Sequence, residues 1–315
     1  PRPYPDPDIN RYQSGGLSRS LICVQSVVVD PANRLWLLDA GSIEFGSAEP
    51  GGPKLVCVDL GTDKVTQTIT FPREVAGPDS YLNDVRFDLR RGEAGIAYIT
   101  DSSNGRGPNG IIVADLASGR SWRKLHEHPS TKADRGYRPL IDGWPLIMRK
   151  PDGFREPLGL GADGIAISAE GSRLYYCPFY GRHLFSVATD ALADEGMSDD
   201  MVATTVRDEG DKGGGSDGLE SDAAGNVYLT SYEHSAVLRR RPSGMIEPLV
   251  TDPRLTFPDT LSLARDQHLY IAVNQFQRQK MYWGGEDRRE PPYAIFRTPV
   301  AADPVLLGSR VPKPR

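Results

Sequence analysis

One unit, written five times, limits what this chain can fold into. The segments SVVVDPANRLWLLDAG (26–41), NDVRFDLRRGEAGIAYITDS (83–102), DGIAISAEGSRLYYCPF (163–179), DGLESDAAGNVYLTSY (217–232) and DTLSLARDQHLYIAVNQ (259–275) share one plan. Each has a short alternating run, a turn rich in Gly, Asp or Asn, and a second run carrying Trp or Tyr. Alternation with period two sends successive side chains to opposite faces, so each segment reads as a β-hairpin. Third runs follow as PKLVCVDL, NGIIVADL, GRHLFSVA, SAVLRRR and YAIFRTP, and fourth runs as VTQTITF, SWRKLHE, MVATTV and MIEPLV. The repeating unit is a four-stranded antiparallel sheet.

Such sheets, starting near residues 21, 82, 161, 215 and 257 with almost no helical pattern between them, predict an all-β fold, a β-propeller with blades around a central channel. A single helical turn is expected at DALADE (190–195), and a solenoid is the structural rival. The N-terminal PRPYPDPD reads as the tail of an earlier unit, so the expectation is a six-bladed plan with five blades legible. The whole chain, 1–315, reads as one propeller domain. Two segments interrupt the repeat, 128–161 and 275–293, and insertions on a repeat scaffold often shape a binding face. LIDGWPLIM in the first reads as a small hairpin.

Composition excludes some functions. A hydrophobic fraction of 38% with 25% charged residues describes a chain that can bury a core, and a net charge of −5 gives no general attraction to nucleic acid or anionic membranes. No apolar run approaches the roughly 20 residues of a membrane-spanning helix, and no signal peptide is recognised. Cys23, Cys57 and Cys177 lie in apolar strand-like runs and read as buried free thiols, with one disulfide involving Cys23 or Cys57 left open. GxSxG, HExxH and phosphate-loop signatures are absent, and Gly213, Gly214 and Gly215 lack the Lys and following helix of a phosphate cradle.

The acidic residues repeat with the blades. Asp84, Asp163, Asp217 and Asp259 occupy the start of the first strand in four units, where blade one has Ser26. First strands of a propeller are innermost, so these carboxylates are expected to converge at one channel mouth. Close carboxylates repel unless protons or cations compensate; calcium tolerates irregular oxygen coordination, with Asn83 as a neutral ligand. The alternative is that each Asp caps a turn. Second-strand ends add Asp101, Tyr180, Tyr232, His234, Asn274 and Gln275, a ring equipped for acid–base work on a small polar molecule. Asp217, His234 and Asp101 are the catalytic candidates. Tyr180, Tyr232, Trp144, Trp283, Asn274 and Gln275 are the ligand-binding candidates. Asp84, Asp163, Asp217, Asp259 and Asn83 are the metal candidates.

NDVRFD, AYITDSS, DGIAISAEGSRLYYCP, SDGLESDAAGNVYLTSYEHSAV, VTDPRLTFPDTLSLARDQHLYIAVNQ and PPYAIFR together resemble the bacterial branch of the Yellow and major royal jelly protein family, in order from about 20 to 300 and including LIDGWPL. The resemblance implies a six-bladed propeller, secreted or periplasmic, with a small-molecule pocket at the channel mouth. Insect relatives include dopachrome-converting enzymes and amine-binding salivary proteins. The similar lactonase-like group holds a divalent cation with Glu, Asn and Asp, which carries over to Asp217 and more loosely to Asn83 and Asp163. The functional expectation is a monomeric enzyme that opens lactones with a cation, or shifts protons in an isomerisation. The alternative is a binding protein for an aromatic amine, its aromatic residues holding the ring.

Overall fold

The hairpin turn explains why the repeat is written as it is. Asp30 accepts the backbone N–H groups of Ala32 and Arg34, and its second oxygen accepts Trp36 Nε1 at 2.8 Å from the following strand. Asp222 does the same for Ala224, Asn226 and the Tyr228 hydroxyl, and Asp266 for His268 and the Tyr270 hydroxyl. An Asp thus folds the turn and satisfies the polar tip of the aromatic residue that the next strand buries, which is why Asp and Trp or Tyr recur together.

The protein, seen in a computed structural model that describes residues 2–12, 17–103, 105–150 and 152–308, is an all-β propeller with five blades. Blade one comprises Val24–Val29, Arg34–Asp39, Lys54–Asp59 and Lys64–Thr70; blade two Leu82–Asp88, Ile96–Asp101, Gly110–Asp115 and Ser121–Lys124. Blade three comprises Ala162–Ile167, Arg173–Pro178, His183–Ala188 and Arg207–Asp211; blade four Leu219–Ser221, Val227–Ser231, Ala236–Arg240 and Ile246–Thr251. Blade five has three strands, Pro258–Leu263, His268–Val273 and Ala294–Pro299. Every sheet runs in simple sequential order. Residues 2–12 form no strand; Ile9 packs against Leu37, Val56 and Val58, so no sixth blade is formed among the described residues.

The chain divides into two compact units. The first, Pro1–Thr131 with Ala188–Thr205 and Leu306–Arg315, holds blades one and two around Trp36, Leu38, Leu55, Leu82, Val85 and Ile99. The second, Lys132–Val187 with Val206–Val305, holds blades three to five, with cores around Leu219 and Leu229 and around Leu261, Leu269 and Ile271. Burying one such side chain contributes about 1.5–3 kcal/mol, so these inward stripes supply the main stabilising term.

MVATTV is not the fourth strand of blade three. Ser198 caps a helix at Asp199–Ala203, its side chain accepting Met201 N–H, and the fourth strand is the polar RDEGD at Arg207–Asp211. An outer edge strand has no second sheet face to bury, so its sequence carries no apolar alternation to recognise. The turn expected in DALADE is the helix Thr189–Ala193, and LIDGWPLIM does form a hairpin, Leu140–Ile141 with Trp144–Pro145. Cys23, Cys57 and Cys177 are all free.

Candidate functional site

Three inner strands carry their acid in a bulge. In blade two the register passes from Leu82 opposite Asp101 to Val85 opposite Ile99, so Asn83 and Asp84 face Thr100 alone. Blade three does this at Asp163 and Gly164, and blade five at Asp259 and Thr260. Bulges re-aim side chains out of the regular pleat, and these place a carboxylate at the same point of successive blades. The glycine after the acid has its own reason. A Cβ on Gly164 would lie 2.2 Å from the Asp217 carbonyl oxygen, and one on Gly218 would lie 2.3 Å from that of Asp259. Gly218 N–H donates to that same Asp259 carbonyl at 2.7 Å. The inner strands of blades three, four and five therefore approach closer than any side chain allows.

This approach brings Asp163, Asp217 and Asp259 together. Burial, the charge of Asp259, and the charge and hydrogen bond of Asp163 raise the Asp217 carboxyl well above the ordinary aspartate range, in that order of importance. A hydrogen bond between two carboxyls needs a shared proton, which the raised Asp217 pKa favours. Asp163 is 1% exposed and Asp217 8%. Asp259 is half-buried, so it is the most open of the three; its side chain accepts from the Asn274 amide and from Thr260 Oγ1. Thr230 Oγ1 accepts Asp217 N–H at 2.9 Å, fixing the backbone. Beside the cluster, Lys212 is buried with Nζ donating to the carbonyls of Gly181 and Gly214, and burial lowers its pKa. Burial likewise pushes the Cys177 thiol up to about 11, which leaves it unreactive at neutral pH.

An aromatic layer accompanies the cluster in the same unit. Tyr232 is fully buried, stacks on Phe257 with ring centroids 5.0 Å apart, and donates its hydroxyl to Phe179 O at 2.6 Å. Tyr180 is buried with its hydroxyl donated to Leu146 O at 3.2 Å, and burial pushes it up to about 12. Tyr282 is buried and its pKa is raised, by burial first, then by the Tyr180 phenol and by Asp217. Tyr180 and Tyr232 are buried, with both hydroxyls engaged by backbone carbonyls. Glu233 pins the first insertion, accepting from the Tyr137 hydroxyl, from Leu140 N–H at 3.0 Å and from Gly215 N–H at 2.9 Å.

Trp144 and Trp283 do meet. Their rings lie 5.7 Å apart, edge to face, at a cavity of about 260 Å³ lined by both insertions. His234 is an exposed turn residue, Nδ1 at 2.9 Å from Ser231 Oγ. Gln275 donates to Glu290 O and accepts Glu290 N–H, fastening the second insertion. Asp101, in the other unit, is fully buried and accepts from Tyr81 N–H, Ser103 N–H and Arg123 Nη1. Asp39 holds Ile22 N–H, Cys23 N–H and Lys54 Nζ in the same way, so Asp101 occupies a repeated structural staple.

The sequence pattern of the major royal jelly proteins matches residues 22–290. The chain belongs to the major royal jelly protein family. It is 25% identical over 214 residues to the Yellow-related salivary protein SP04 of Phlebotomus argentipes, covering 64% of this chain and 50% of that one. To the L-dopachrome tautomerase yellow-f of Drosophila melanogaster it is 28% identical over 203 residues, covering 62% and 43%. The chain thus spans about half the length, or less, of these curated relatives. Among solved structures, a gluconolactonase of Xanthomonas campestris superposes with a TM-score of 0.50 at 14% identity, covering 80% of this chain and 69% of that one, a likeness of fold alone. No helix among the described residues is long and apolar enough to cross a membrane.

The calcium site expected for this family member does not fit the residues as arranged. Asp84 is paired with Arg86 Nη1 at 3.0 Å and accepts Ser26 Oγ at 2.6 Å and Val85 N–H at 2.8 Å. Asp259 is engaged by Asn274 and Thr260. Among the described residues no group of three or more His, Cys, Asp or Glu side chains is set to hold a metal ion. Sequence reasoning missed Arg149, Gln277 and Arg288 at the tryptophan cavity, although the Arg-rich run RQKMYWGGEDRRE was a signal for Arg288.

Proposed function

We propose that this family member is a small-molecule enzyme that shifts a proton within its substrate, an isomerase using the Asp163–Asp217–Asp259 cluster. The observation that carries the reading is the buried carboxyl of Asp217 beside two other aspartates, one of them half-buried, with burial and those neighbours raising its pKa. A carboxyl whose pKa is raised by burial and by neighbouring carboxyls is suited to hold and deliver a proton in acid–base chemistry. In such a step Asp259 takes a proton from a carbon next to a carbonyl or iminium group. The proton of Asp217 is delivered to the heteroatom, and transfer from Asp259 to Asp217 restores the pair. One proton leaves the substrate and one enters, so no co-reactant is required. Similarity to an L-dopachrome tautomerase supports the class. No step is assigned to a divalent cation. We also place the chain in the family's bacterial branch, secreted or periplasmic and monomeric, on the resemblance of its repeat motifs and its salivary relatives.

The test is solvent-deuterium exchange, followed by proton NMR, into a panel of enolisable carbonyl compounds that includes L-dopachrome. Exchange above the uncatalysed rate that disappears in Asp217→Asn is the expected result. Unaltered substrates in the wild type, or exchange that survives both Asp217→Asn and Asp259→Asn, would end this reading. A second reading, small-molecule binding without turnover, is favoured by the Trp144–Trp283 cavity.

A further inference from the structure

The cavity between the insertions is chemically biased. Its walls include Trp144, Trp283, Arg149, Arg288, Gln277 and Tyr282. The Arg149 guanidinium lies over both rings, 5.4 Å from the Trp144 centroid and 5.1 Å from that of Trp283, and Arg288 lies over Trp283 at 3.9 Å. The carboxylates nearby are already engaged. Asp142 accepts Gln277 Nε2 at 3.0 Å, Glu290 faces Arg278 at 3.6 Å, Glu286 holds Arg288 at 2.7 Å and Glu156 holds Lys150 at 2.9 Å. Arg149 has no carboxylate within 4 Å among the described residues. A guanidinium stacked on aromatic faces keeps its N–H edge free, and that edge matches a carboxylate in a bidentate fork.

A second observation points to a ligand. Gln277 is 6% exposed and its Oε1 has no hydrogen-bond partner among the described residues. An unmade hydrogen bond at a buried group costs about 1–3 kcal/mol, which implies that something completes it. The volume, about 260 Å³, sits near the small end of ligand pockets, about 300 Å³, which suits a molecule of one or two rings.

We infer that this cavity is a binding site for a planar organic anion, an aromatic or conjugated ring bearing a carboxylate, with the ring packed beside the Trp144–Trp283 pair and the carboxylate on Arg149. This reverses the charge expected of an aromatic amine ligand. It rests on the cavity alone and holds whether or not the protein turns a substrate over.

Isothermal titration with 2-naphthoate and with 2-naphthylmethylamine, which share a ring and differ in charge, tests it. The acid should bind saturably at one site per chain, and the amine at least about tenfold more weakly, a difference of about 1.4 kcal/mol. Arg149→Gln should weaken naphthoate about tenfold or more, with Arg149→Lys in between because an ammonium lacks the fork. Trp144→Leu, at a residue 54% exposed, should weaken acid binding without disturbing the fold. Asp217→Asn should bind naphthoate like the wild type, which separates this site from the carboxylate cluster. Equal binding of acid and amine, acid binding indifferent to Arg149, or no binding of naphthoate by folded wild type would each overturn the inference.

Discussion

Blades two and four solve one electrostatic problem in opposite ways. Both place an Asp at the start of the inner strand, and both tie the Asp backbone N–H to a threonine hydroxyl of the second strand, Thr100 for Asp84 at 3.3 Å and Thr230 for Asp217 at 2.9 Å. In blade two the next outward-alternating residue is Arg86, which neutralises Asp84 with a bidentate contact at 3.0 Å from Nη1 to both oxygens. In blade four that place holds Leu219, and the neighbours of Asp217 are two further aspartates. Charge is balanced by a guanidinium in one blade, while in the other burial and neighbouring carboxyls favour the protonated form. A blade neutralised by Arg is a structural joint, whereas a blade neutralised by a proton can give the proton up.

The largest effect should come from breaking the first solution. Arg86→Met leaves Asp84 as an uncompensated, nearly buried charge, and urea denaturation should show a loss of about 3–5 kcal/mol. Asp84→Asn should also destabilise, because it strands Arg86. Gly218→Ala attacks the close approach that assembles the cluster; relieving a 2.3 Å contact with a backbone oxygen should cost about 1–3 kcal/mol and reduce deuterium exchange. Gly215→Ala should behave similarly, since its Cβ would lie 1.9 Å from the Tyr232 hydroxyl.

Asp217→Asn should move the other way from Asp84→Asn. Because the folded-state pKa of Asp217 is raised, its contribution is complete below the ordinary aspartate pKa and is lost as pH rises through the raised value. Over that window the unfolded chain has released a proton that the folded chain still holds, so the wild type should lose up to about 1.4 kcal/mol per pH unit. Asparagine cannot ionise, and the variant's stability should lack that slope while matching the wild type more closely in acid. The smallest effect on stability belongs to Trp144→Leu, within about 0.5 kcal/mol by thermal unfolding, because more than half of that ring is already in solvent.

Much of this was legible in the sequence, and the exceptions are instructive. The blades announced themselves because inner and middle strands are buried on a fixed period, and the turn Asp30 and Asp222 had to accompany Trp36 and Tyr228. The outer strand RDEGD was invisible because nothing covers it, so no period was imposed. At the site, the recurrence of Asp at 84, 163, 217 and 259 was readable, but their different fates were not. One residue two places along, Arg86 or Leu219, decides between ion pair and shared proton. Asp101 looked catalytic for the same reason, since its partner Arg123 lies 22 positions away in sequence. The three glycines 213–215 earned a nucleotide-binding suspicion, yet Gly214 and Gly215 are small to admit Glu233 and Tyr232.

Carboxyl carbon NMR of aspartate-labelled protein, with Asp217 assigned by its loss in Asp217→Asn, tests the central claim most directly. The account predicts an Asp217 carboxyl that titrates well above the ordinary aspartate range. An Asp217 signal already that of a carboxylate at pH 7, titrating near the usual value of about 3.9, would contradict it.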